Sequence, residues 1–239
     1  MNNFSIHSVP IFICLLFLCC NTDDEVFFKE NFEKTIKNKL QTSGKGIISI
    51  DSLKGYKSQK SLFLNSGEGF NNRAFVSVVD QIPKGLKSYY GSMQMFVEEA
   101  SKDGIHWTII QTSGKTDKGF TAEVRYGGQH SKQFMANYDT HGIKTDCWDH
   151  TKFKIPENQW FLVEWYFSKE KSLMKLWINK MLVHDSQNQP FDKGCLYNDN
   201  NQEWTFPSVE KITLGWVDYQ TGSGNRKVWI DDIVLKKLK

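Results

Sequence analysis

The chain has 239 residues, with 30 Lys and Arg against 27 Asp and Glu, a formal net charge of +3, and 14% aromatic residues. This aromatic content supplies enough apolar area for a packed core and excludes a disordered tail, a coiled coil or a collagen-like fibre. The mean hydropathy of −0.49 and the lack of an apolar run of about twenty residues exclude a polytopic membrane protein. Lysines are spread along the whole length, so no basic block of the kind that binds nucleic acid is present. We expect one globular domain.

Residues 1–20 have the pattern of an export signal. The run from Val9 to Cys20 is apolar, is too short to span a bilayer and is followed at once by acidic residues. Its end resembles a bacterial lipoprotein processing site, with Cys20 as the lipidated residue. We therefore expect an exported protein held at the cell surface or in the periplasm by lipid, with residues 21–25 as a polar tether and 26–239 as the folded domain. A freely secreted protein and an uncleaved anchor are the alternatives.

Cys147 and Cys195 are the two of the five cysteines that lie outside the signal. In an oxidising compartment such a pair predicts one disulfide. The closed loop of about 47 residues corresponds to roughly 4 kcal/mol of stabilisation in the chain-entropy description. Two buried free thiols are the alternative, although both cysteines stand in polar, turn-like sequence.

After residue 25, short stretches of β-branched and aromatic residues alternate with clusters of Gly, Asn, Asp and Lys, which predicts strands. The predicted strands are Val26–Phe32, Gly46–Asp51, Lys60–Asn65, Arg73–Val79, Tyr90–Glu98, His106–Gln111, Phe120–Tyr126, Gln133–Asp139, Trp160–Ser168, Leu173–Ile178, Val209–Tyr219 and Val228–Leu235. A dozen short strands without crossover helices predict an all-β, two-sheet antiparallel sandwich of the jelly-roll type.

Side-chain alternation assigns faces to several of these strands. The predicted core row of one strand is Phe161, Val163, Trp165 and Phe167. The predicted outward residues are Trp160, Glu164 and Tyr166 on that strand, Lys175 and Trp177 on the next, and Thr121, Glu123 and Arg125 on an earlier one. We expect one sheet face to combine these aromatic, cationic and carboxylate groups, a composition that suits a sugar polymer. An ordinary solvated face is the alternative.

Residues 125–139 are the densest in groups that can carry chemistry. Eliminative cleavage of a uronic-acid polymer needs a group that neutralises the sugar carboxylate, a base and an acid. The candidates are Arg125 and Gln129 for the carboxylate, His106 or His130 as base, and Tyr138 as acid. The pair Gly127 and Gly128 predicts a bulge or a backbone that approaches a ligand closely. A glycine turn with exposed polar neighbours is the alternative.

Carboxylates near both ends of the domain predict a structural calcium ion. The candidate ligands are Glu30 and Glu33 near the first strand and Asp231 and Asp232 in the last. Carboxylate oxygens are the ligands that Ca²⁺ takes, and solvent-facing carboxylates at strand ends are the alternative. The sequence has no dinucleotide or P-loop motif, so no organic cofactor is expected.

Several short motifs occur in a characteristic order: RYGGQ, NYDT, DCWDH, P-x-x-x-W-x-x-V-E-W, LWIN, ITLGW and VWIDDIVL. Together they resemble the concanavalin A-like jelly-roll proteins related to the fungal cellulose-induced protein, and more distantly the glucuronan and alginate lyases. The resemblance implies a jelly roll with a concave groove, frequently a structural calcium ion, and a groove cluster of His, Arg, Gln and Tyr. The positions that match this cluster are His106, Arg125, Gln129 and Tyr138.

We therefore expect a monomeric, exported protein that binds or eliminatively cleaves an acidic polysaccharide in a groove on one sheet. A carbohydrate-binding module without turnover is the first alternative. Its binding residues would be Trp160, Tyr166, Lys175, Trp177 and Arg125. A surface protein whose sheet face meets another protein is the second alternative.

Overall fold

The computed structural model describes residues 24–34, 40–141, 145–186, 195–196 and 206–238. The export signal, Cys20 and the tether up to residue 23 lie outside the described residues. The strands form two antiparallel sheets of eight strands each, which enclose one hydrophobic core. The predicted all-β sandwich is confirmed. Among the described residues, no helix is long and apolar enough to cross a membrane.

The first sheet, sheet A, contains both ends of the domain. Its strands are β1 (Glu25–Glu30), β3 (Ile47–Asp51), β4 (Ser61–Ser66), β6 (Ser88–Val97), β11 (Trp160–Ser168), β12 (Leu173–Ile178), β13 (Met181–Asp185) and β16 (Arg226–Lys237). Their spatial order is β13-β12-β11-β6-β16-β4-β3. The long strand β16 pairs with β4 through its first half and with β1 through its second half.

The second sheet, sheet B, carries most of the candidate chemistry. Its strands are β2 (Gln41–Ser43), β5 (Ala74–Val78), β7 (Trp107–Lys115), β8 (Thr121–Gly128), β9 (Gln133–Thr140), β10 (Thr145–Lys154), β14 (Cys195–Leu196) and β15 (Lys211–Asp218). Their spatial order is β14-β10-β9-β8-β7-β15-β5-β2. Two single-turn 3₁₀ helices, Phe70–Asn72 and His130–Lys132, lie in loops at this sheet.

All twelve predicted strands are present, and four observed strands, β2, β10, β13 and β14, were not predicted. β10 was missed because its sequence, TDCWDHTKFK, is polar and reads as a turn. The expectation that Cys147 lies in a turn is therefore wrong. Cys147 is disulfide-bonded, and the pairing of β10 with β14 places Cys195 directly opposite it, which is the register that the predicted bridge requires.

The core is built from the inward side-chain rows of the two sheets. Phe161, Val163, Trp165 and Phe167 are buried, as predicted. Large rings fill the space between the sheets because small residues make room for them. For example, a Cβ atom on Gly91 would lie 2.2 Å from the ring of Trp165.

The predicted outward residues lie on two different faces of the molecule. Trp160, Glu164 and Tyr166 point outward from sheet A, and cross-strand pairing sets Glu164 opposite Trp177 and Tyr166 opposite Lys175. Arg125 and Glu123 point outward from sheet B, on the other side of the sandwich. The strands Trp160–Ser168 and Leu173–Ile178 pair directly with each other, but the expectation of one combined face is wrong. Alternation tells on which side of its own strand a residue lies, and it does not tell which sheet that strand joins.

Candidate functional site

The outward face of sheet B carries a groove of about 370 Å³. Cross-strand register creates its floor, because Gln111, Arg125 and Asn137 form one row across three strands. Glu123 and Asp139 form the next row, directly opposite each other. The groove therefore has a polar floor built on rigid strands, with loop residues at its rim.

Arg125 lies at the centre of the groove and is only 7% exposed. Its Nε and Nη2 donate to one carboxylate oxygen of Glu123, and Nη2 also donates to Asp139 over 3.0 Å. Its Nη1 donates to the side-chain oxygen of Asn137 over 2.8 Å. Four of the five guanidinium N–H groups therefore have protein partners.

This network limits what Arg125 can offer to a ligand. Burial by itself lowers the pKa of Arg125, but the nearby phenol of Tyr219 and the carboxylates of Glu123 and Asp139 outweigh burial and raise that pKa above its ordinary value. The guanidinium is thus permanently charged. Arg125 therefore cannot bind a sugar carboxylate through two parallel hydrogen bonds, because its Nε and Nη2 groups already donate to Glu123 and Asp139.

An aromatic stack forms one rim of the groove. The ring of Tyr219 lies between those of His106 and Phe70, at centroid distances of 4.6 Å and 5.7 Å. The phenol oxygen of Tyr219 is 3.4 Å from the Thr108 hydroxyl, and the Arg125 guanidinium carbon is 6.0 Å from the Tyr219 ring centre. The stack therefore brings an imidazole and a phenol next to the buried cation.

His106 has the properties of a neutral imidazole. Burial, followed by the charges of Arg125 and His150, lowers the pKa of His106 to about 4. Its Nε2 atom is buried and has no hydrogen-bond partner among the described residues. At neutral pH the ring is therefore uncharged, and one nitrogen has no protein partner in that part of the chain.

The glycine pair beside Arg125 has a packing role. A Cβ atom on Gly127 would lie 1.8 Å from the Trp107 carbonyl oxygen, and one on Gly128 would lie 2.2 Å from the Trp107 ring. The neighbouring strand β7 is irregular at this point, between Thr108 and Ile110. The irregularity thus lies on β7 opposite the glycine pair, and the close contact is with Trp107, so the expected close approach to a ligand stays a prediction.

Three of the predicted catalytic and clamp residues lie away from the groove. Tyr138 is 1% exposed on the inner face of β9, where it stacks on Phe206 at 6.1 Å. Tyr138 as the acid is therefore wrong, because its inward side chain cannot reach a ligand outside the sheet. His130 and Gln129 lie in the turn between β8 and β9, where Gln129 donates to the Gly104 carbonyl over 3.4 Å.

Sequence reasoning did not single out Tyr219 or Lys211, although both line the groove. Lys211 is the first residue of β15, two strands away from Glu123, and has no ion-pair partner among the described residues. Lys211 and Thr213 are two residues apart and therefore lie on the same face of β15. This alternation could have identified the lysine as a residue of the groove face. Tyr219 was hidden because the pairing of β15 shifts between Leu214 and Val217, which interrupts the alternation.

Two sets of residues bear on metal binding. Glu123, Asp139 and His141 offer ligand atoms within 4.8 Å of one another, but Arg125 already compensates the two carboxylates. The predicted calcium ligand Glu33 instead binds the backbone of a loop: its carboxylate accepts hydrogen bonds from the N–H groups of Gln59 and Lys60.

The other predicted calcium ligands also have local partners. Asp231 accepts from the Tyr56 N–H and the Ser58 hydroxyl, and Glu30 accepts from the two residues that follow it. Asp232 is exposed at the bend of β16. Among these four described residues, no three bring their carboxylate oxygens within 4.8 Å of one another. The oxygens are of the type that calcium takes, and Glu33 and Asp231 hold the same loop.

The sequence family described as polysaccharide lyase-like, with a Cip1-like core domain, matches residues 29–238. No curated protein matches the chain. Among solved structures, the chain is similar to the cellulose induced protein Cip1, with a TM-score of 0.65 and 16% identity over 87% of this chain and 96% of that one. It is also similar to an endo-β-1,4-glucuronan lyase from the fungus Trichoderma reesei, with a TM-score of 0.60 and 13% identity over 88% of this chain and 94% of that one. At these identities the two structures show a shared jelly-roll fold.

Proposed function

Because the chain belongs to the Cip1-like group of the polysaccharide lyase-like family, we propose that it binds an acidic polysaccharide in the sheet B groove and cleaves it by elimination. The observation that carries this proposal is the contact between His106 and Tyr219 beside the buried Arg125. A neutral imidazole, a phenol and a fixed cation are the three kinds of group that elimination next to a carboxylate requires.

The charges of the groove support an anionic ligand. Three cationic side chains, Arg73, Arg125 and Lys211, line it together with two carboxylates, Glu123 and Asp139. The two carboxylates are already held by Arg125. Lys211 and Arg73 are therefore the groove cations that can pair with a uronate carboxylate, and we assign this contact to Lys211 because Arg73 donates to the Phe70 carbonyl. The remaining Nη1 hydrogen of Arg125 can donate to a second oxygen.

In the proposed elimination His106 is the base and Tyr219 is the acid. The imidazole of His106 takes the proton from the carbon that carries the uronate carboxylate, and Arg125 with Lys211 stabilises the negative charge that develops there. The electron pair of the broken C–H bond forms the C=C bond, the bond to the leaving sugar oxygen breaks, and the Tyr219 hydroxyl protonates that oxygen. The negative charge of a uronate next to the ring also stabilises the positively charged form that His106 adopts when it takes the proton.

A second candidate function is carbohydrate binding without turnover. The observation in its favour is that four of the five N–H groups of Arg125 already have protein partners, which reduces its capacity to polarise a substrate carboxylate. Under this alternative the groove recognises an acidic chain through Lys211, and the stack of Phe70, Tyr219 and His106 serves as a rigid rim.

The two functions are separated by assaying glucuronan and alginate for the ultraviolet absorbance of newly formed unsaturated uronate ends. We expect absorbance to appear with the wild-type chain, and Lys211→Gln to raise KM about tenfold through loss of a charged contact. Lys115→Gln is the matched control, since Lys115 is exposed at the far end of β7. Binding of these polymers without any new absorbance would contradict the lyase function and support the binding function.

A further inference from the structure

A second cleft lies on the opposite side of the molecule, on the outward face of sheet A, with a volume of about 250 Å³. It runs between the loop of residues 52–60 and the turn that joins β12 to β13. The side chains that form it are Tyr56 on the loop, Gln94, Trp160 and Leu162 on the sheet, and Asn179 and Lys180 on the turn. None of these residues lines the sheet B groove.

Trp160 is the aromatic centre of this cleft. Its ring lies 5.8 Å from the ring of Tyr56 and 5.9 Å from that of Phe96, in both cases at a steep angle. Phe96 in turn packs edge-on against Trp229 at 5.5 Å. Neighbours on both sides thus fix a half-buried indole, and a ring that is already fixed loses little entropy when a sugar stacks on it. Indole faces of this kind pack on apolar C–H surfaces.

Polar groups stand beside this ring. The side-chain oxygen of Asn179 accepts from the Leu162 N–H over 2.9 Å, which orients the amide and leaves its NH₂ group without an acceptor in the described part of the chain. The amide of Gln94 lies on the cleft floor. An aromatic wall with oriented amide groups is the composition that recognises a hydroxylated ring, because hydroxyls both donate and accept hydrogen bonds.

The charges around the cleft favour an anion. Lys180 lines it, and the Lys57 ammonium lies 5.1 Å from the Tyr56 ring. Neither lysine has an ion-pair partner among the described residues. The carboxylate of Asp231, which holds the loop at Tyr56, is buried and accepts hydrogen bonds from Tyr56, Ser58 and Asp232. Lys180 in the cleft and Lys57 beside Tyr56 therefore carry ammonium groups without an ion pair in the described part of the chain, and none of the residues that line the cleft carries a carboxylate.

We propose that this cleft is a second saccharide-binding site, which holds a carboxylated oligosaccharide by stacking on Trp160 and by charge pairing with Lys57 and Lys180. It depends on the proposed function only for the class of ligand. Because the two sites lie on opposite faces of the sandwich, a short oligosaccharide cannot occupy both. The protein can then hold a polymer chain on one face while another segment enters the groove, which raises the local concentration of substrate.

The test is titration calorimetry of the full chain with a β-1,4-linked glucuronic acid trimer. The parent protein is the Tyr219→Phe variant, which lacks the proposed acid and prevents turnover. We expect two trimers bound per chain, one after Trp160→Ala, and an affinity of the groove site about tenfold weaker after Lys211→Gln. Lys180→Asn is expected to weaken the sheet A site three- to tenfold and to leave the fold intact, because Asn tolerates the left-handed conformation that Lys180 adopts, with φ of 69°.

Trp177→Ala is the matched control, since Trp177 lies on the same sheet face outside the cleft. A Trp177→Ala variant that loses binding as Trp160→Ala does would overturn the assignment to this cleft. If only one trimer binds, and Lys211→Gln weakens its binding while Trp160→Ala and Lys180→Asn do not, the second site is overturned and the groove is supported. A single trimer that only the cleft variants remove would support the second site and contradict the groove. No binding at all would overturn both.

Discussion

The imidazole of His106 stacks on the phenol ring of Tyr219, with ring centres 4.6 Å apart and an angle of 23° between the planes. His106 precedes β7 and Tyr219 follows β15, and the two strands are neighbours in sheet B. The backbone N–H of Tyr219 donates to the His106 carbonyl over 2.8 Å. The pair is therefore fixed by backbone and ring contacts together, which is the kind of support that a catalytic pair requires.

Tyr219→Phe keeps the ring stack and removes the hydroxyl. We expect eliminative activity to fall by about 10²- to 10⁴-fold, the usual contribution of a positioned acid or base. Binding of an acidic oligosaccharide and the melting temperature should stay near wild type. Thr108→Val, which removes the hydroxyl that faces the phenol, is the companion variant. Activity of Tyr219→Phe within a few-fold of wild type would exclude the phenol as the acid.

The stability of the fold should depend on pH through His106. Burial lowers its pKa to about 4 in the folded chain, against about 6.5 in an unfolded one. Below pH 6.5 the unfolded state takes up the proton first, so the free energy of unfolding should decrease as the pH falls from about 6.5 to about 4. Urea titrations of wild type and His106→Gln across this range measure the effect. Identical slopes for the two proteins would show that His106 does not contribute.

Arg125 should stabilise the fold as well as bind ligand. Arg125→Ala leaves Glu123 and Asp139 facing each other across two strands, and we expect the free energy of unfolding to fall by about 3–5 kcal/mol, as when a buried ion pair loses one partner. Adding Glu123→Gln should recover part of this loss. Chemical denaturation of the single and double variants measures the coupling, and a single variant as stable as wild type would contradict it.

Calcium is predicted to raise the melting temperature. The carboxylates of Glu33 and Asp231 hold the loop of residues 52–60 against the ends of the domain, and an ion that binds only the folded state stabilises it by about 2.7 kcal/mol at a hundredfold excess over Kd. Asp231→Asn should abolish the response, and magnesium at equal concentration is the control. A melting temperature that responds neither to calcium nor to a chelator would contradict the prediction.

Lipidation of Cys20 is predicted to place the protein on a membrane. The apolar run before Cys20 and the acidic residues after it are the basis of this prediction. Cys20→Ser should leave the protein unprocessed and without lipid, and fractionation with mass spectrometry of the mature N-terminus measures both. Cys19→Ser is the matched control, since it changes the neighbouring thiol alone. A mature form that retains residues before Cys20 would show that the site is different.

The sequence by itself determined the strands and the core rows. The run from Trp160 to Ser168 and its partner from Leu173 to Ile178 have the predicted bounds, and Glu164 lies opposite Trp177. These features are local: side chains alternate with period two, and a short connection pairs neighbouring strands. The polar strand β10 escaped prediction although a short connection joins it to its partner β9, because the local sequence pattern does not distinguish a polar turn from a polar strand.

Only the tertiary structure decided which of these groups meet. Arg125 and Trp160 both point outward, yet they lie on opposite faces because their strands join different sheets. Tyr219 rather than Tyr138 stands beside Arg125, since Tyr138 shares the inner row with Val124, and an irregularity in β15 precedes Tyr219. The physical reason is that a site of this kind is made by cross-strand register between distant segments, and register depends on the packing of the whole sheet.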